Sequence, residues 1–195
     1  MSKIKKKIAI TGGIGSGKSF VCKLLTQLGE VCYSCDEISK QLWLDEKYQQ
    51  ALSSLFPSAT VNGKIVKERL ANIVFNDKES LERLNAFSHP QIMSRLFEAM
   101  EKCNKSRVFA EVPLLFEGGF EKEFDEVIIV LRNRDKRIQA VAKRDGVAAL
   151  VVENKIKLQF DYDINLQQLK NYFTIKNNST VDDLKEEVVK ILNIL

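Results

Sequence analysis

Lys7-Ile8-Ala9-Ile10-Thr11-Gly12-Gly13-Ile14-Gly15-Ser16-Gly17-Lys18-Ser19 is the stretch that decides the architecture. A short apolar strand ends in a glycine-rich turn, and a helical stretch follows through about Leu28, with Gly29 placed to close it. Gly12-x-x-x-x-Gly17-Lys18-Ser19 is the phosphate-loop pattern in the context it requires, after a strand and before a helix. Glycines let successive backbone N–H groups turn inward toward phosphate oxygens, and the helix N-terminus adds its positive dipole end. In that pattern the lysine, Lys18, reaches the β- and γ-phosphates, and the Ser19 hydroxyl is the Mg²⁺ ligand. Gly12, Gly13, Ile14, Gly15, Ser16, Gly17, Lys18 and Ser19 are therefore the candidate residues for a nucleoside triphosphate.

Working outward, apolar runs alternate with helical periods, which predicts an α/β fold around a parallel sheet. Val31–Ser34, Arg107–Val112 and Val127–Leu131 read as further strands, and Phe173-Thr174-Ile175 as a weaker fifth. About seventy residues of helical character separate the second and third strands, far more than an ordinary crossover needs. Leu70, Ile73 and Val74 recur at helical spacing, as do Leu81, Leu84, Ile92 and Leu96 across an expected break at Pro90. Asn62-Gly63 marks a turn. We read 37–105 as an inserted helical subdomain within one domain spanning 1–195, and a natural place for a second substrate pocket. Thr180-Val181-Asp182-Asp183 opens a last helix with a capping-box-like start, and Val181, Leu184, Val188, Ile191, Leu192 and Leu195 form its apolar face.

The composition is that of a globular chain: 195 residues, 45% hydrophobic and 29% charged. Val147–Val152, six residues, is the longest apolar run, far short of the roughly 20 that span a bilayer. The N-terminal lysines lead only into Ile8-Ala9-Ile10 before the glycines, which is not a signal peptide. A cytoplasmic location is expected. A net charge of +4, from 30 basic against 26 acidic residues, suits a small anionic ligand as well as nucleic acid. Cys22, Cys32, Cys35 and Cys103 are expected to be reduced thiols, and Cys32-x-x-Cys35 lacks the partners of a zinc site, since His89 is the lone histidine.

The use made of the nucleotide is a separate question. Asn154-Lys155-Ile156-Lys157 lacks the acid of a guanine-reading motif, and Val127–Leu131 runs into Arg132 where an apolar strand ending in Asp is often found. Carboxylates instead close the second strand at Asp36 and the third at Glu111, at the sheet edge where α/β crevices open. Asp36 can take a proton from a substrate hydroxyl, help hold a metal, or cap a helix starting near Glu37. Arg132, Arg134, Lys136, Arg137, Lys143 and Arg144 face a single acid, Asp135, over residues 132–144. Arg137 and Arg144, seven apart, share a helix face, and such arginines can close over a triphosphate or simply face solvent.

These residues resemble the dephospho-coenzyme A kinase family. Thr11–Ser19 resembles its phosphate loop, and Asp36 falls at the second Asp of its D-x-D, the residue assigned as base. Leu84-Asn85-Ala86-Phe87-Ser88-His89-Pro90 is similar to its L-N-x-x-x-H-P element, and Glu111-Val112-Pro113-Leu114-Leu115-Phe116-Glu117 to its D-x-P-L-L-F-E element. Arg144-Asp145 matches an R-D in the lid helix, and Gln159 and Asn177-Asn178 fall at its later Gln and N-N-G positions. The matches run from about Ile8 to Ser179. Several positions depart: Ser34 replaces the first Asp of D-x-D, and Phe20 stands where a second hydroxyl residue follows the loop. Val66-Lys67 replaces a D-R pair, Ser179 a Gly, and Ala140 a lid Arg. The last departure leaves that charge to Arg137 or Lys136, or leaves the activity reduced.

The resemblance implies a P-loop kinase-like, five-stranded parallel sheet flanked by helices, with 132–150 as a lid. It implies transfer of the γ-phosphoryl group of ATP, with Mg²⁺, to the ribose 3′-hydroxyl of dephospho-CoA. Asp36, Lys18 and Arg144 are then catalytic, and Arg137 and Asn177 join the phosphate loop at ATP. His89, Glu111, Pro113, Leu114 and Glu117 fall to the acceptor, although His89 also reads as a structural histidine and Glu117 as a local cap. Partners are small molecules, with neither nucleic acid nor membrane, and the chain is expected to be a monomer with an oligomer left open. Two other classes stay in view: another small-molecule P-loop kinase, such as one for nucleoside monophosphates, and a non-enzymatic nucleotide-binding module. Against the second stands the absence of the aromatic–basic interleaving that single-strand binders use.

Overall fold

Ile8, Ala9, Ile10 and Thr11 of strand β1 (Lys6–Thr11) are all fully buried, as befits a central parallel strand covered on both faces. The structure is a computed structural model that describes residues 5–166, 169 and 172–195, with the backbone alone at 163 and 164. β1 pairs in parallel with β5 (Arg107–Glu111) on one side and β6 (Glu126–Leu131) on the other. β2 (Cys32–Ser34) and β7 (Tyr172–Lys176) form the edges, giving the order β2-β5-β1-β6-β7. The five-stranded parallel sheet expected from the alternation is present, with β7 reaching further at both ends than its three-residue apolar signal.

Helix α1 (Lys18–Gln27) and helix α9 (Val181–Ile194) close one core against this sheet. Val21, Leu24 and Leu25 meet Leu184, Val188 and Ile191 over Ile8, Ile10, Phe109, Ile128, Val130 and Ile175. The expected capping box starts α9: the Thr180 hydroxyl accepts from the Asp183 amide, and the Asp183 carboxylate accepts from the Thr180 amide. Val181, read as part of the apolar face, is 58% exposed, since as the first helical residue it overhangs the core. None of the four cysteines is in a disulfide. Cys22 on α1 is hydrogen-bonded to Cys32 on β2, and that contact together with burial pushes the Cys22 thiol above its usual range.

Two compact units partition the chain: residues 1–34 with 100–195, and Cys35–Ala99. The second contains α2 (Cys35–Leu42), α3 (Glu46–Leu55), a hairpin of β3 (Thr60–Val61) and β4 (Lys64–Ile65), α4 (Lys67–Asn76), and most of α5 (Lys78–Lys102). Asn62 and Gly63 take the two positive φ angles, 50° and 74°, that a two-residue hairpin turn demands. Asp45 caps α3 and pairs with Arg95 of α5. Its bonds to the Tyr48 amide and to Arg95 hold its carboxyl below the usual range.

Two local expectations are corrected. The helix after β2 begins at Cys35 rather than near Glu37, so Asp36 is an exposed first-turn residue and not its cap. The break expected at Pro90 does not occur, and α5 runs unbroken from Lys78 to Lys102. A proline removes one helical N–H and crowds the preceding turn. The carbonyl that Pro90 leaves without its helical donor is that of Ala86; beside it the Gln91 side-chain amide donates to the Phe87 carbonyl at 2.9 Å. Among the described residues no helix is long and apolar enough to cross a membrane.

Candidate active site

The turn between β1 and α1 is built for an anion. Gly12, Gly15 and Gly17 all have positive φ, and Gly17 forms the α1 N-cap at φ 99° with no side chain of its own to offer. Space enforces glycine here as well as conformation. A Cβ on Gly13 would run into the Arg137 guanidinium, and one on Gly17 into the Asn177 amide. Lys18 is 9% exposed, and its ammonium donates to the Gly12 carbonyl at 2.7 Å and more distantly to that of Gly13. The Ser16 hydroxyl is buried without a hydrogen-bond partner among the described residues. A buried orphan hydroxyl in a glycine-rich turn at a helix N-terminus fits a phosphate oxygen.

Glu111 enters this site from the next strand. Its parallel register sets it beside Ile10 of β1 and Ser34 of β2. It is 6% exposed, and its Oε1 accepts the Ser19 hydroxyl at 2.7 Å. The acid that closes the third strand in the sequence thus stands beside the phosphate loop, because β5 as well as β6 flanks the phosphate-loop strand. A hydroxyl and a carboxylate on hard oxygen atoms suit Mg²⁺, which takes few protein ligands and leaves the rest to water and phosphate. Among the described residues no group of three or more acidic, histidine or cysteine side chains gathers to hold a metal.

The basic segment divides in two. In α6 (Arg134–Asp145) the first two turns lie on the phosphate loop: Arg137 Nε donates to the Ile14 carbonyl at 2.9 Å, and Val141 approaches Gly15. Ile138, Val141 and Val152 of α7 (Ala149–Lys157) make a small core that receives Ile14. Arg144 does share the Arg137 face, but seven residues carry it roughly 10 Å along the axis, beyond the loop. Its side chain is 64% exposed and its guanidinium is held by the neighbouring Asp145. The structure thus brings Arg137 to the loop and not Arg144. Arg132 adds a bond to the Gly15 carbonyl. A cavity of about 450 Å³ beside Gly13 and Ser16 is lined by Arg132, Arg134, Arg137 and Lys176, a cationic wall.

Asn177 and Gln159 also reach the loop. The Asn177 amide donates to the Ser16 carbonyl at 2.8 Å, and Gln159 Oε1 accepts the Ile14 N–H at 2.7 Å. Asn178 accepts the Asn133 N–H at the start of α6. The Pro113–Glu117 turn lies on the same unit, with Leu114 36% exposed. The Glu117 carboxylate accepts the Phe160 N–H at 2.8 Å, so it braces a distant segment rather than capping its own turn. Tyr162, the first residue of α8 (Tyr162–Asn165), carries no motif in the sequence and is buried with its hydroxyl 3.1 Å from that of Thr11. Burial pushes its phenol up to about 12. No spacing signal marks it, because the contact joins residues 151 apart.

Two further candidates belong to the Cys35–Ala99 unit. Asp36 is exposed in the first turn of α2, two residues after β2 ends. His89 is half-buried within α5, between Ser88, whose hydroxyl pairs with that of Tyr48 at 2.9 Å, and Pro90.

Comparison with known proteins gives a consistent answer. Residues 6–183 match the model of the family described as dephospho-CoA kinase. A dephospho-CoA kinase of Fusobacterium nucleatum is 34% identical over 183 residues, covering 93% of this chain and 94% of that protein. Among solved structures, TT1252 from Thermus thermophilus superposes with a TM-score of 0.86 at 30% identity, covering 99% of both chains. The dephospho-CoA kinase from Campylobacter jejuni superposes with a TM-score of 0.70 at 27% identity, covering 97% of this chain and 96% of that one.

Proposed function

The chain belongs to the dephospho-CoA kinase family, and from that premise we propose how its phosphate loop carries out the transfer. The γ-phosphoryl group of ATP passes to the ribose 3′-hydroxyl of dephospho-CoA, giving coenzyme A and ADP, the last step of coenzyme A biosynthesis. The observation that carries the donor half is the Ser19–Glu111 pair at the mouth of a loop whose lysine is buried. The acceptor half rests on the family match over residues 6–183.

Lys18 exchanges the Gly12 and Gly13 carbonyls for phosphate oxygens when ATP enters, and the loop amides and the Ser16 hydroxyl receive the rest of the triphosphate. Ser19 and Glu111 are the residues that would hold Mg²⁺, which would supply charge neutralisation to the triphosphate. Arg137 supplies positive charge over Gly13, and the cationic cavity beside it takes the nucleoside end. Arg144 serves the triphosphate only if released from Asp145 as 132–150 closes.

Asp36 is assigned to orient the 3′-hydroxyl and accept its proton as the new O3′–P bond forms and the bond from phosphorus to the β,γ-bridging oxygen breaks. Because phosphoryl transfer is loose, orientation counts for more than early deprotonation. The Cys35–Ala99 unit, with His89, and the Pro113–Glu117 turn are assigned to the acceptor. The chain is read as acting on small molecules alone, without nucleic acid or membrane. Locating the new phosphate tests the regiochemistry: coupling of its phosphorus to the ribose H3′ proton supports the reading, and coupling to H2′ contradicts it.

A further inference from the structure

Residues 159–162 touch the phosphate loop twice. Gln159 Oε1 accepts the Ile14 N–H at 2.7 Å. Three residues later the Tyr162 hydroxyl lies 3.1 Å from the Thr11 hydroxyl and also meets the Gly12 backbone. Thr11 is the last residue of β1, and Gly12, at φ 143°, is where the chain leaves the sheet to form the loop. Thr11 is fully buried and Tyr162 is 5% exposed, so water does not replace these bonds if they are lost.

The same segment is anchored on its other side. The Phe160 ring stacks on Phe116 at 4.6 Å, and Tyr162 meets both rings edge-on at 5.0 and 6.0 Å. Glu117 accepts the Phe160 N–H at 2.8 Å. The aromatic cluster fixes the ring of Tyr162, and the fixed ring aims its hydroxyl at the start of the loop.

We propose that Tyr162 is a positioning residue for the nucleotide: its hydroxyl sets the exit of the chain from β1, and so the direction of the loop amides that receive the triphosphate. This deepens the reading of Gly12–Ser19 as the ATP site and rests on it, but it does not depend on the identity of the acceptor. The phenol, held neutral by burial, donates and accepts at any working pH. Tyr162 acts through Thr11 and Gly12 and touches no reacting atom.

The test is direct titration of ATP with MgCl₂ into the full chain, with no acceptor present and well below any melting transition. Parent, Tyr162→Phe, Thr11→Val and the double variant are compared. Tyr162→Phe keeps the ring and its packing and removes only the hydroxyl. It is expected to weaken ATP binding about 2- to 12-fold, the equivalent of one neutral hydrogen bond. Thr11→Val is expected to do the same, and the double variant to be no worse than the weaker single, because both remove one interaction. Where turnover is measured, KM for ATP rises by the same factor while kcat and the acceptor KM hold. ATP affinity unchanged or tighter in Tyr162→Phe, whatever happens to its melting temperature, overturns the proposal. Additive losses in the double variant overturn the Thr11 route. A chain that turns over no dephospho-CoA still binds ATP or fails to, so the two readings fail separately.

Discussion

The Ser19 hydroxyl donates to the Glu111 carboxylate across 2.7 Å, joining the first turn of α1 to the end of the neighbouring strand β5. The bond places a carboxylate oxygen beside the hydroxyl proposed above to hold the metal. Glu111→Gln preserves shape and an acceptor but removes the charge. Loss of a carboxylate that holds the metal should cost at least as much as loss of an outer partner, so turnover should fall, or the Mg²⁺ concentration needed for it rise, about 10-fold or more. A Mg²⁺ titration of activity that superposes on the parent curve would return Glu111 to the acceptor.

Lys18 is buried on two carbonyls of its own loop, so its positive charge is committed to this turn. Lys18→Ala should leave the far-ultraviolet spectrum and the fold intact and lower kcat by about 10²- to 10³-fold or more. A folded variant turning over near the parent rate would remove the phosphate loop from the mechanism.

The two arginines are predicted to behave differently. Arg137 is 9% exposed over Gly13, and Arg137→Ala should raise KM for ATP about 10- to 100-fold, the range of a lost charged hydrogen bond. Arg144, exposed and paired with Asp145, contributes about 0–1 kcal/mol to folding. Arg144→Ala should therefore leave the melting temperature unmoved and slow turnover only through closure of 132–150. Ala140→Arg should be tolerated on the half-exposed side of α6. Unchanged kinetics in Arg144→Ala would make that arginine a solvated residue.

Asp36→Asn separates chemistry from structure. Asp36 is exposed and does not cap α2, so the substitution should barely change the melting temperature or ATP affinity. It should lower kcat by about 10²- to 10⁴-fold, the usual range for general-base assistance. Normal turnover would move the search for the base to another carboxylate.

How much the sequence discloses depends on how local each determinant is. Gly12–Ser19 and its flanking strand and helix are contiguous, so both element and chemistry are legible there. The Asn62-Gly63 turn is equally local, and its hairpin appears where the pair stands. Pro90 misleads because one missing N–H does not end a helix of 25 residues, so α5 continues through it. Glu111 is visible as an acid at a strand end, but its partner is set by which strands lie side by side, a long-range outcome. Arg137 and Arg144 share one helical face and differ only in what the loop covers. Tyr162 carries no motif at all, and only folding brings it to Thr11.

The central claim is tested most directly by ADP release from ATP·Mg²⁺ with dephospho-CoA, AMP, CMP and adenosine offered in parallel as acceptors. Dephospho-CoA alone should support release, and Lys18→Ala should abolish it. Release that favours AMP or CMP, or that is equal with no acceptor present, would contradict the assignment.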